Sequence, residues 1–217
     1  MRCRFCGVQC VRDGLQADGS QRYKCKHCHK RQQCRYRYNA YGRDIDTQIV
    51  ALTKIGVGVR DIAKFIHISA TTVLIRIHRI AKRIAPPSIP MGHIYEVDEM
   101  WSYIRTKRKP IWIAYALDRE TKQVVSFNVG SRSKEMLAPI LDTLNDSQAK
   151  KIYTDNLQHY KSLIPEAVHR CTNCGTNRIE RNNLNLRTHL KRLNRRTICF
   201  SRSAEMLTSI LKIYFWG

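Results

Sequence analysis

Two pairs of cysteines near the start of the chain constrain its folding more than any other feature of the sequence. The pattern is Cys3-x2-Cys6, then 18 residues, then Cys25-x2-Cys28. Two tight turns of this kind each present two thiolates, and four thiolates complete a tetrahedron around Zn²⁺. A segment this short has little core, so the metal would supply much of its folding energy. We therefore predict a structural zinc site with these four cysteines as its ligands.

The remaining cysteines leave alternatives open. Cys10 or His27 could replace one of the four ligands in the first site. Further along the chain, a second zinc site is possible, although a turn with two free thiols is the simpler interpretation. Its candidate ligands are His169, Cys171, Cys174 and Cys199.

The charge balance of the chain favours a polyanionic partner. The 217 residues include 39 Lys and Arg against 17 Asp and Glu, which gives a formal net charge of +22. Nucleic acid is the first candidate for such a partner. The chain starts without the apolar stretch of a signal peptide, and no apolar run approaches the ~18 residues of a membrane span. We expect a cytoplasmic protein, associated with a bacterial or archaeal nucleoid and without a membrane partner.

Residues 59–84, VRDIAKFIHISATTVLIRIHRIAKRI, have the pattern of a helix-turn-helix. In the turn, His67 takes the position where glycine is common, and Ser69 is a good N-cap for the second helix. The apolar residues of that helix share one face, namely Val73, Ile77, Ile80 and Ile84. The start of the helix would face a DNA major groove with Ser69, Thr71, Thr72 and Arg76. A plain helical hairpin with a solvated basic face is the alternative.

The second half of the chain predicts the order strand, strand, strand, helix, strand, helix. The first strand is YEVDEMWSYI, and the fourth is KKIYTD. This order is typical of a ribonuclease H-like fold, in which three separated carboxylates converge at one edge of the sheet. Asp98 lies on the first strand, Asp155 ends the fourth, and Glu180 lies near the start of the late helix. Sites in α/β sheets tend to form where central strands end.

Three carboxylates in one place require cations, because like charges raise one another's pKa. Mg²⁺ prefers such oxygen ligands, and a pair of ions serves phosphoryl transfer by activating the attacking oxygen and stabilising the leaving one. Each acid also has an ordinary interpretation. Asp98 could be a surface acid and Asp155 a turn former, while Asn177-x-x-Glu180 fits a capping box.

These residues resemble the sequence blocks of insertion sequence 1 family transposases. RIERNNLNLRTHLKRLNRRTICFSRSAE, residues 178–205, resembles the C-terminal block, while VDEMWSY and IYTDN resemble the two aspartate blocks. The 24 residues between Asp155 and Glu180 suit the short second interval of the family. The cysteine pairs and the helix-turn-helix match its N-terminal DNA-binding region, so the resemblance covers nearly the whole chain.

The resemblance implies a DDE transposase in which Asp98, Asp155 and Glu180 are catalytic and hold Mg²⁺ or Mn²⁺, with two ions expected. It also implies double-stranded DNA as the partner, both as the terminal inverted repeats of the element and as the target. Pairing two ends requires a homodimer or a higher homo-oligomer. The late basic residues would hold DNA phosphates, although a solvated basic face is the alternative; they are Arg178, Arg181, Arg187, Lys191 and Arg192.

The predicted architecture is a multidomain α+β protein. It consists of a zinc ribbon at 1–40, a helix-turn-helix module at 44–85, a proline-rich linker at 86–92 and a ribonuclease H-like α/β catalytic domain at 93–217. Two other functions remain in competition with a transposase. One is a DNA-binding regulator without catalytic activity, and the other is a tyrosine recombinase, suggested by His189-x-x-Arg192 followed by Tyr214.

Overall fold

The computed structural model describes residues 1–35, 38–171 and 175–217, which form two compact units, Met1–Ile45 and Asp46–Gly217. The smaller unit is a three-stranded antiparallel sheet. Its strands are β1 (Cys10–Leu15), β2 (Gln21–Cys25) and β3 (Arg31–Gln33). Cysteines and Tyr23 make up its apolar cluster, with Cys25 fully buried. This small sheet built on cysteines confirms the predicted zinc ribbon-like module.

Three helices follow in the chain, and they have the predicted helix-turn-helix order. They are α1 (Ile45–Lys54), α2 (Val59–Phe65) and α3 (Ala70–Arg83). The turn between α2 and α3 places His67 at a φ of 55°, and Ser69 Oγ accepts the backbone N–H of Thr72 at 3.0 Å. Both local predictions are therefore confirmed. Val73 and Ile77 are fully buried, as expected for the inner face of α3.

The larger unit also contains a five-stranded mixed sheet. Its strands are β4 (Ile94–Ile104), β5 (Thr106–Asp118), β6 (Val124–Gly130), β7 (Lys151–Thr154) and β8 (His169–Cys171). The order across the sheet is β6-β5-β4-β7-β8. The first three strands pair antiparallel, whereas β7 runs parallel to β4 and β8 parallel to β7. This is the predicted ribonuclease H-like arrangement, to which β8 adds a strand too short to show an alternating pattern.

Four further helices flank this sheet. They are α4 (Lys134–Asp146), α5 (Gln158–Lys161), α6 (Asn177–His189) and α7 (Ala204–Trp216). Two short 3-10 turns also occur, at Asn39–Tyr41 and Lys191–Leu193. The apolar face of α4 packs on the sheet, with Leu137 and Ile140 fully buried against Tyr95 and Val97 of β4. Burial of these apolar side chains stabilises the packing of α4 on the sheet.

Helix α7 packs against both α3 and β6, which places the helix-turn-helix and the sheet in one compact unit. His78 of α3 shares a hydrogen bond of 2.9 Å with Ser209, and Trp216 Nε1 donates to Val124 O at 2.7 Å. The predicted linker region contains no helix or strand at 84–90. None of the helices in the described ranges has both the length and the apolar character needed to cross a membrane.

A glycine packs against the end of α6. Gly56 lies in the turn after α1 with a φ of 79°, and a Cβ there would come within 1.8 Å of His189 O. The turn lies so close to the end of α6 that no side chain would fit at this position. The chain stays buried just beyond this end, since Leu190 and Leu193 are each 1% exposed.

Candidate active site and cysteine cluster

The four paired cysteines come together in the smaller unit. Cys3 and Cys6 lie in the loop before β1, and Cys25 ends β2. The Sγ atoms of Cys3 and Cys28 are 3.5 Å apart, and those of Cys6 and Cys25 are 3.4 Å apart. All four sulfurs lie within 4.8 Å of one another. A tetrahedral Zn²⁺ with ~2.3 Å bonds separates its sulfurs by ~3.8 Å, so the donor set fits this ion.

Backbone N–H groups around the cysteines favour their thiolate forms. The N–H of Phe5 points at Cys3 Sγ at 3.4 Å and lowers the pKa of that thiol, while the N–H of Cys28 lowers the pKa of Cys25. Thiolates are the form that binds metal. Cys10 lies beside this group, and its Sγ accepts a hydrogen bond from Gln32 Nε2 at 3.4 Å. It is not among the four clustered cysteines.

Three carboxylates come together in the larger unit, namely those of Asp98, Glu99 and Asp155, with one oxygen of each within 4.8 Å of the others. Pairing between β4 and β7 stops at Glu96 and Tyr153, so the two strands diverge just before these acids. Asp98 and Asp155 therefore meet where these two parallel strands stop pairing, as their strand order predicts. Oxygen ligands at this spacing suit Mg²⁺ or Mn²⁺.

Asp98 is held in one orientation by two hydrogen bonds. Its Oδ1 accepts the backbone N–H of Glu99, and its Oδ2 accepts Asn183 Nδ2 of α6, both at 2.7 Å. Burial, together with the charges of Glu99 and Asp155, raises the pKa of Asp98 to about 6. A nearby cation would reverse this shift by favouring the charged form.

Glu99 was not among the predicted site residues. Its carboxylate is buried and accepts hydrogen bonds from Arg132 Nη2 at 3.1 Å and from the hydroxyl of Tyr160. Arg132 also stacks on the Trp112 ring at 4.4 Å and lies 3.9 Å from Asp155 Oδ2. The sequence did carry a signal, because VDEM places adjacent acids on a strand buried on both faces.

Glu180 lies outside the group of three carboxylates that the described residues form. It is exposed near the start of α6, and its Oε1 accepts the hydroxyl of Thr176 at 3.1 Å. The helix begins at Asn177 with Thr176 as its N-cap, so Asn177 is inside the helix and the predicted capping box does not form. Glu180 lies one helical turn before Asn183, the residue that bonds Asp98, and on the same side of the helix.

The predicted phosphate-binding residues divide into two sets. Arg178, Arg181 and Lys191 are exposed. Arg187, in contrast, donates to Leu193 O at 2.6 Å and to Trp101 O at 3.0 Å, and Arg192 donates to Ser201 Oγ at 3.2 Å. Burial lowers the pKa of Arg192 to about 10. These two arginines therefore brace the end of α6 from inside the unit.

The predicted DNA-reading residues of α3 also have partners within the protein. Ser69 Oγ and Thr72 Oγ1 share a hydrogen bond of 2.8 Å, which adds to the cap of the helix. Arg76 forms an ion pair with Asp46 of α1. Thr71 is exposed.

Two other sequence features take ordinary places in the fold. His169 Nε2 shares a hydrogen bond with Thr154 Oγ1 at 2.7 Å, and Cys171 is exposed at the end of β8. Cys174 lies outside the described residues, so the second zinc site stays a prediction. Tyr214 shares a hydrogen bond of 2.6 Å with His189, on the last two helices.

A mixed sheet of this order, with acidic residues where its two central parallel strands separate, defines the class of ribonuclease H-like catalytic cores. The family model of the IS1 transposases matches residues 93–216, more than half of the chain. The chain therefore belongs to the IS1 transposase family and contains a DDE transposase core. This membership decides against a non-catalytic regulator and against a tyrosine recombinase.

Curated relatives agree with this membership. The insertion element iso-IS1n protein InsB of Shigella dysenteriae is 37% identical over 121 residues, which cover 56% of this chain and 92% of the relative. The insertion element IS1 2 protein InsB of Escherichia coli K12 is 36% identical over 119 residues, which cover 55% of this chain and 71% of the relative.

Two solved structures show a remote likeness. The HTLV-2 integrase catalytic core domain in complex with magnesium is 15% identical, with a TM-score of 0.36 over 59% of this chain and 86% of that chain. A chain of the simian T-cell lymphotropic virus intasome with PP2A regulatory subunit B56 gamma is 17% identical, with a TM-score of 0.35 over 65% of this chain and 59% of that chain. Similarity this low carries no argument about residues or metals.

Proposed function

We propose that this protein mobilises its own insertion element. It hydrolyses a phosphodiester at each element end and transfers the freed 3′-hydroxyl to target DNA, with two Mg²⁺ or Mn²⁺ ions at Asp98, Asp155 and Glu180. The observation that carries the proposal is the meeting of Asp98 and Asp155, which are 57 positions apart in the chain, within one group of carboxylate oxygens. Metal ions held this way activate the attacking oxygen and stabilise the leaving one.

The electrostatics of the acidic group support a cation at this edge. Asp98 keeps a raised pKa because its partially buried carboxylate faces two other acids. Arg132 offsets part of that charge, but its guanidinium bonds Glu99 and lies 3.9 Å from Asp155. A divalent ion held by Asp98 and Asp155 would supply the missing positive charge and stabilise the ionised form of Asp98.

Glu180 is a better third ligand than Glu99, although Glu99 lies closer to the aspartates. The carboxylate of Glu99 already has Arg132 and Tyr160 as partners inside the protein. The exposed carboxylate of Glu180 accepts a hydroxyl from Thr176 and has no ion pair among residues 1–35, 38–171 and 175–217. It is thus able to turn toward a metal, and Asn183 anchors the same face of α6 to Asp98.

The basic surface supports double-stranded DNA as the partner. Helix α3 would enter a major groove of the inverted repeat with its start, where Ser69, Thr71 and Thr72 lie, and Arg76 would follow one turn later.

Lys107, Arg108 and Lys109 are exposed where the β4–β5 hairpin bulges, about 20 Å along β4 from Asp98. With the exposed Arg178, Arg181 and Lys191, these cations would hold phosphates on both sides of the reacting bond.

The proposed reaction also sets the assembly and the compartment. Joining two element ends in one event requires at least a homodimer on DNA. A protein that acts on chromosomal and element DNA works in the cytoplasm, beside the nucleoid. Light scattering of the protein with and without an end fragment would test the assembly, and a monomer on paired ends would contradict it.

Strand transfer on a labelled end fragment with Mg²⁺ tests the chemistry. We expect Asp98→Asn, Asp155→Asn and Glu180→Gln each to lower the rate by at least about 10²-fold while leaving DNA binding intact. Glu99→Gln should lower it less, because Glu99 acts through Arg132. Glu166→Gln is the matched control, an exposed acid outside the acidic group, and should match the wild type. Full activity in Glu180→Gln with loss of activity in Glu99→Gln would make Glu99 the third metal ligand in place of Glu180. Full activity in all of the variants at Asp98, Asp155, Glu180 and Glu99 would reject the proposal.

A further inference from the structure

A fully buried carboxylate lies two residues before Asp98 on β4. Glu96 is 0% exposed, and its Oε1 accepts a hydrogen bond from Arg119 Nε at 2.7 Å. Arg178 adds a weaker contact, with its Nη1 at 3.7 Å from the same oxygen. A buried carboxylate is unfavourable unless its oxygens have strong partners, so this pair is a specific arrangement.

The second oxygen of Glu96 caps helix α6. Oε2 accepts the backbone N–H of Ile179, the third residue of the helix, at 2.8 Å. Thr176, the N-cap residue, makes no side-chain capping bond, so a carboxylate from a distant strand satisfies one of the free N–H groups of the first turn. Negative charge at this end of a helix is also favourable.

Arg119 extends the same contact to two more parts of the site. Its Nη2 donates to Gly175 O, two residues before the start of α6, and its guanidinium stacks on the Tyr153 ring at 3.7 Å. Tyr153 lies on β7, two residues before Asp155. The pair thus touches β4, β7 and the start of α6, the three elements that carry Asp98, Asp155 and Glu180.

We propose that Glu96 and Arg119 are positioning residues, which fix the first turn of α6 so that Glu180 faces the metal ions held by Asp98 and Asp155. This inference rests on the proposed function, since it takes Glu180 as the third ligand. The partners of the pair named above all lie within the protein. The effect of the pair comes through geometry, because a misplacement of about 1 Å in a catalytic group costs on the order of 10²-fold in rate.

Four variants separate positioning from mere stability. Glu96→Gln keeps an acceptor for the Ile179 N–H but loses the charge, and Arg119→Met removes the donor to Gly175. The double variant Glu96→Gln/Arg119→Met leaves no unpaired charge in the interior, so it keeps the fold even where a single change does not. Arg119→Lys keeps the charge and should recover part of the rate that Arg119→Met loses. Asp118→Asn is the matched control, a fully buried carboxylate on β5 whose partners are His93, Thr121 and the backbone N–H of Glu120.

The measurements are the single-turnover rate of strand transfer, its Mg²⁺ dependence and hydrogen exchange of residues 175–189. For Glu96→Gln and the double variant we expect a rate lower by about 10 to 10²-fold. The Mg²⁺ concentration at half-maximal rate should rise, the first turn of α6 should exchange faster, and end-DNA affinity should stay unchanged. Asp118→Asn should keep the wild-type rate and Mg²⁺ dependence at temperatures below its melting point.

Two results would overturn the inference. One is a wild-type rate and Mg²⁺ dependence in the double variant, and the other is an equal loss in Asp118→Asn, which would make the pair an ordinary structural contact. Glu180→Gln, run in parallel, keeps this failure distinct from failure of the proposed function. If that variant is inactive while the Glu96 variants behave as wild type, only positioning fails. If it is fully active, the ligand assignment itself is wrong.

Discussion

The two groups of candidate metal ligands stand in opposite relations to the structure around them. In the smaller unit, the cysteines are the core: Cys25 is fully buried, and other cysteines and Tyr23 pack around it. In the larger unit, the acids lie at the edge of a sheet whose core includes Tyr and Val side chains of β4, Ala side chains of β5, and Leu and Ile side chains of α4. The cysteine group is therefore the core of its unit, whereas the acidic group lies outside the apolar core of its unit.

This difference between the two groups predicts a different role for each metal. Zinc bound by four thiolates contributes folding free energy directly, because the unfolded segment offers no preformed site. A divalent ion held by Asp98 and Asp155 would instead relieve the electrostatic strain that burial and the neighbouring acids impose on Asp98. Removing the first metal should therefore unfold its unit, and removing the second should leave the fold and lose the activity.

The largest expected effect is the loss of zinc. Cys25→Ser, or a strong chelator, should unfold the smaller unit, because structural zinc contributes on the order of 10 kcal/mol and there is little other core. Proteolysis and hydrogen exchange of residues 1–35 should show complete loss of protection, while the melting of the larger unit stays the same. Cys34→Ser is the control, since Cys34 is exposed and outside the four-cysteine group. Protection of the smaller unit from exchange and proteolysis in the absence of zinc would contradict this folding role of the metal.

The second effect is a change of stability with pH in the larger unit. Because the folded pKa of Asp98 is raised to about 6, its favourable contribution is present below the unfolded value of ~3.9 and is lost as pH rises through 6. Without metal, Asp98→Asn should therefore raise the free energy of unfolding at pH 7 by up to about 3 kcal/mol, with little change near pH 4. Urea unfolding at both pH values measures this difference.

Adding Mg²⁺ should reduce that advantage of Asp98→Asn at pH 7, because the ion stabilises the ionised wild-type carboxylate. Asp142→Asn, an exposed acid on α4, is the control and should show no pH-dependent difference from the wild type. A loss of stability in metal-free Asp98→Asn at pH 7 would make the aspartate a structural residue, as the cysteines are.

A smaller effect concerns Glu99, the member of the acidic group with protein partners. Glu99→Gln keeps an acceptor for Tyr160 but loses the charge that pairs with Arg132, so we expect a loss of about 1 to 2 kcal/mol in the free energy of unfolding. Part of the Arg132 side chain reaches solvent, which limits the effect. Chemical unfolding with and without Mg²⁺ measures it, and the loss should be the same in both. A loss that Mg²⁺ cancels would instead make Glu99 a metal ligand.

The smallest effect on stability belongs to the exposed cations of the larger unit. Replacing Lys107, Arg108 and Lys109 by Ala should change the free energy of unfolding by less than about 0.5 kcal/mol. It should, however, reduce the slope of log K against log salt for DNA by up to about 3, since each phosphate contact contributes ~0.9. Arg187→Met is the contrasting variant, because this arginine bonds Trp101 O and Leu193 O. It should lower stability and leave the slope unchanged, and the reverse pattern would show that Arg187 contacts DNA.

Much of the architecture could be predicted because its causes are local. The cysteine pairs are close in sequence, Ser69 caps a helix that starts at the next residue, and the strands of the sheet follow from short apolar runs. Asp98 and Asp155 could be placed together because the order of strands fixes which ends meet. The exact start of α6 and the short strand β8 were less predictable, since their limits depend on contacts with distant parts of the chain.

The sequence by itself therefore determined the group of four cysteines, the meeting of Asp98 with Asp155, the ribonuclease H-like order of elements and the basic charge of the chain. The tertiary structure decided which charged groups became internal. Periodicity shows which face of a strand Glu96 occupies, but it does not show that Arg119 and the first turn of α6 meet that face. The same holds for Glu99 beside Arg132 and for Arg187 beside Trp101 O. A buried charge is tolerated only where partners from elsewhere surround it, and those partners exist only once the chain has folded.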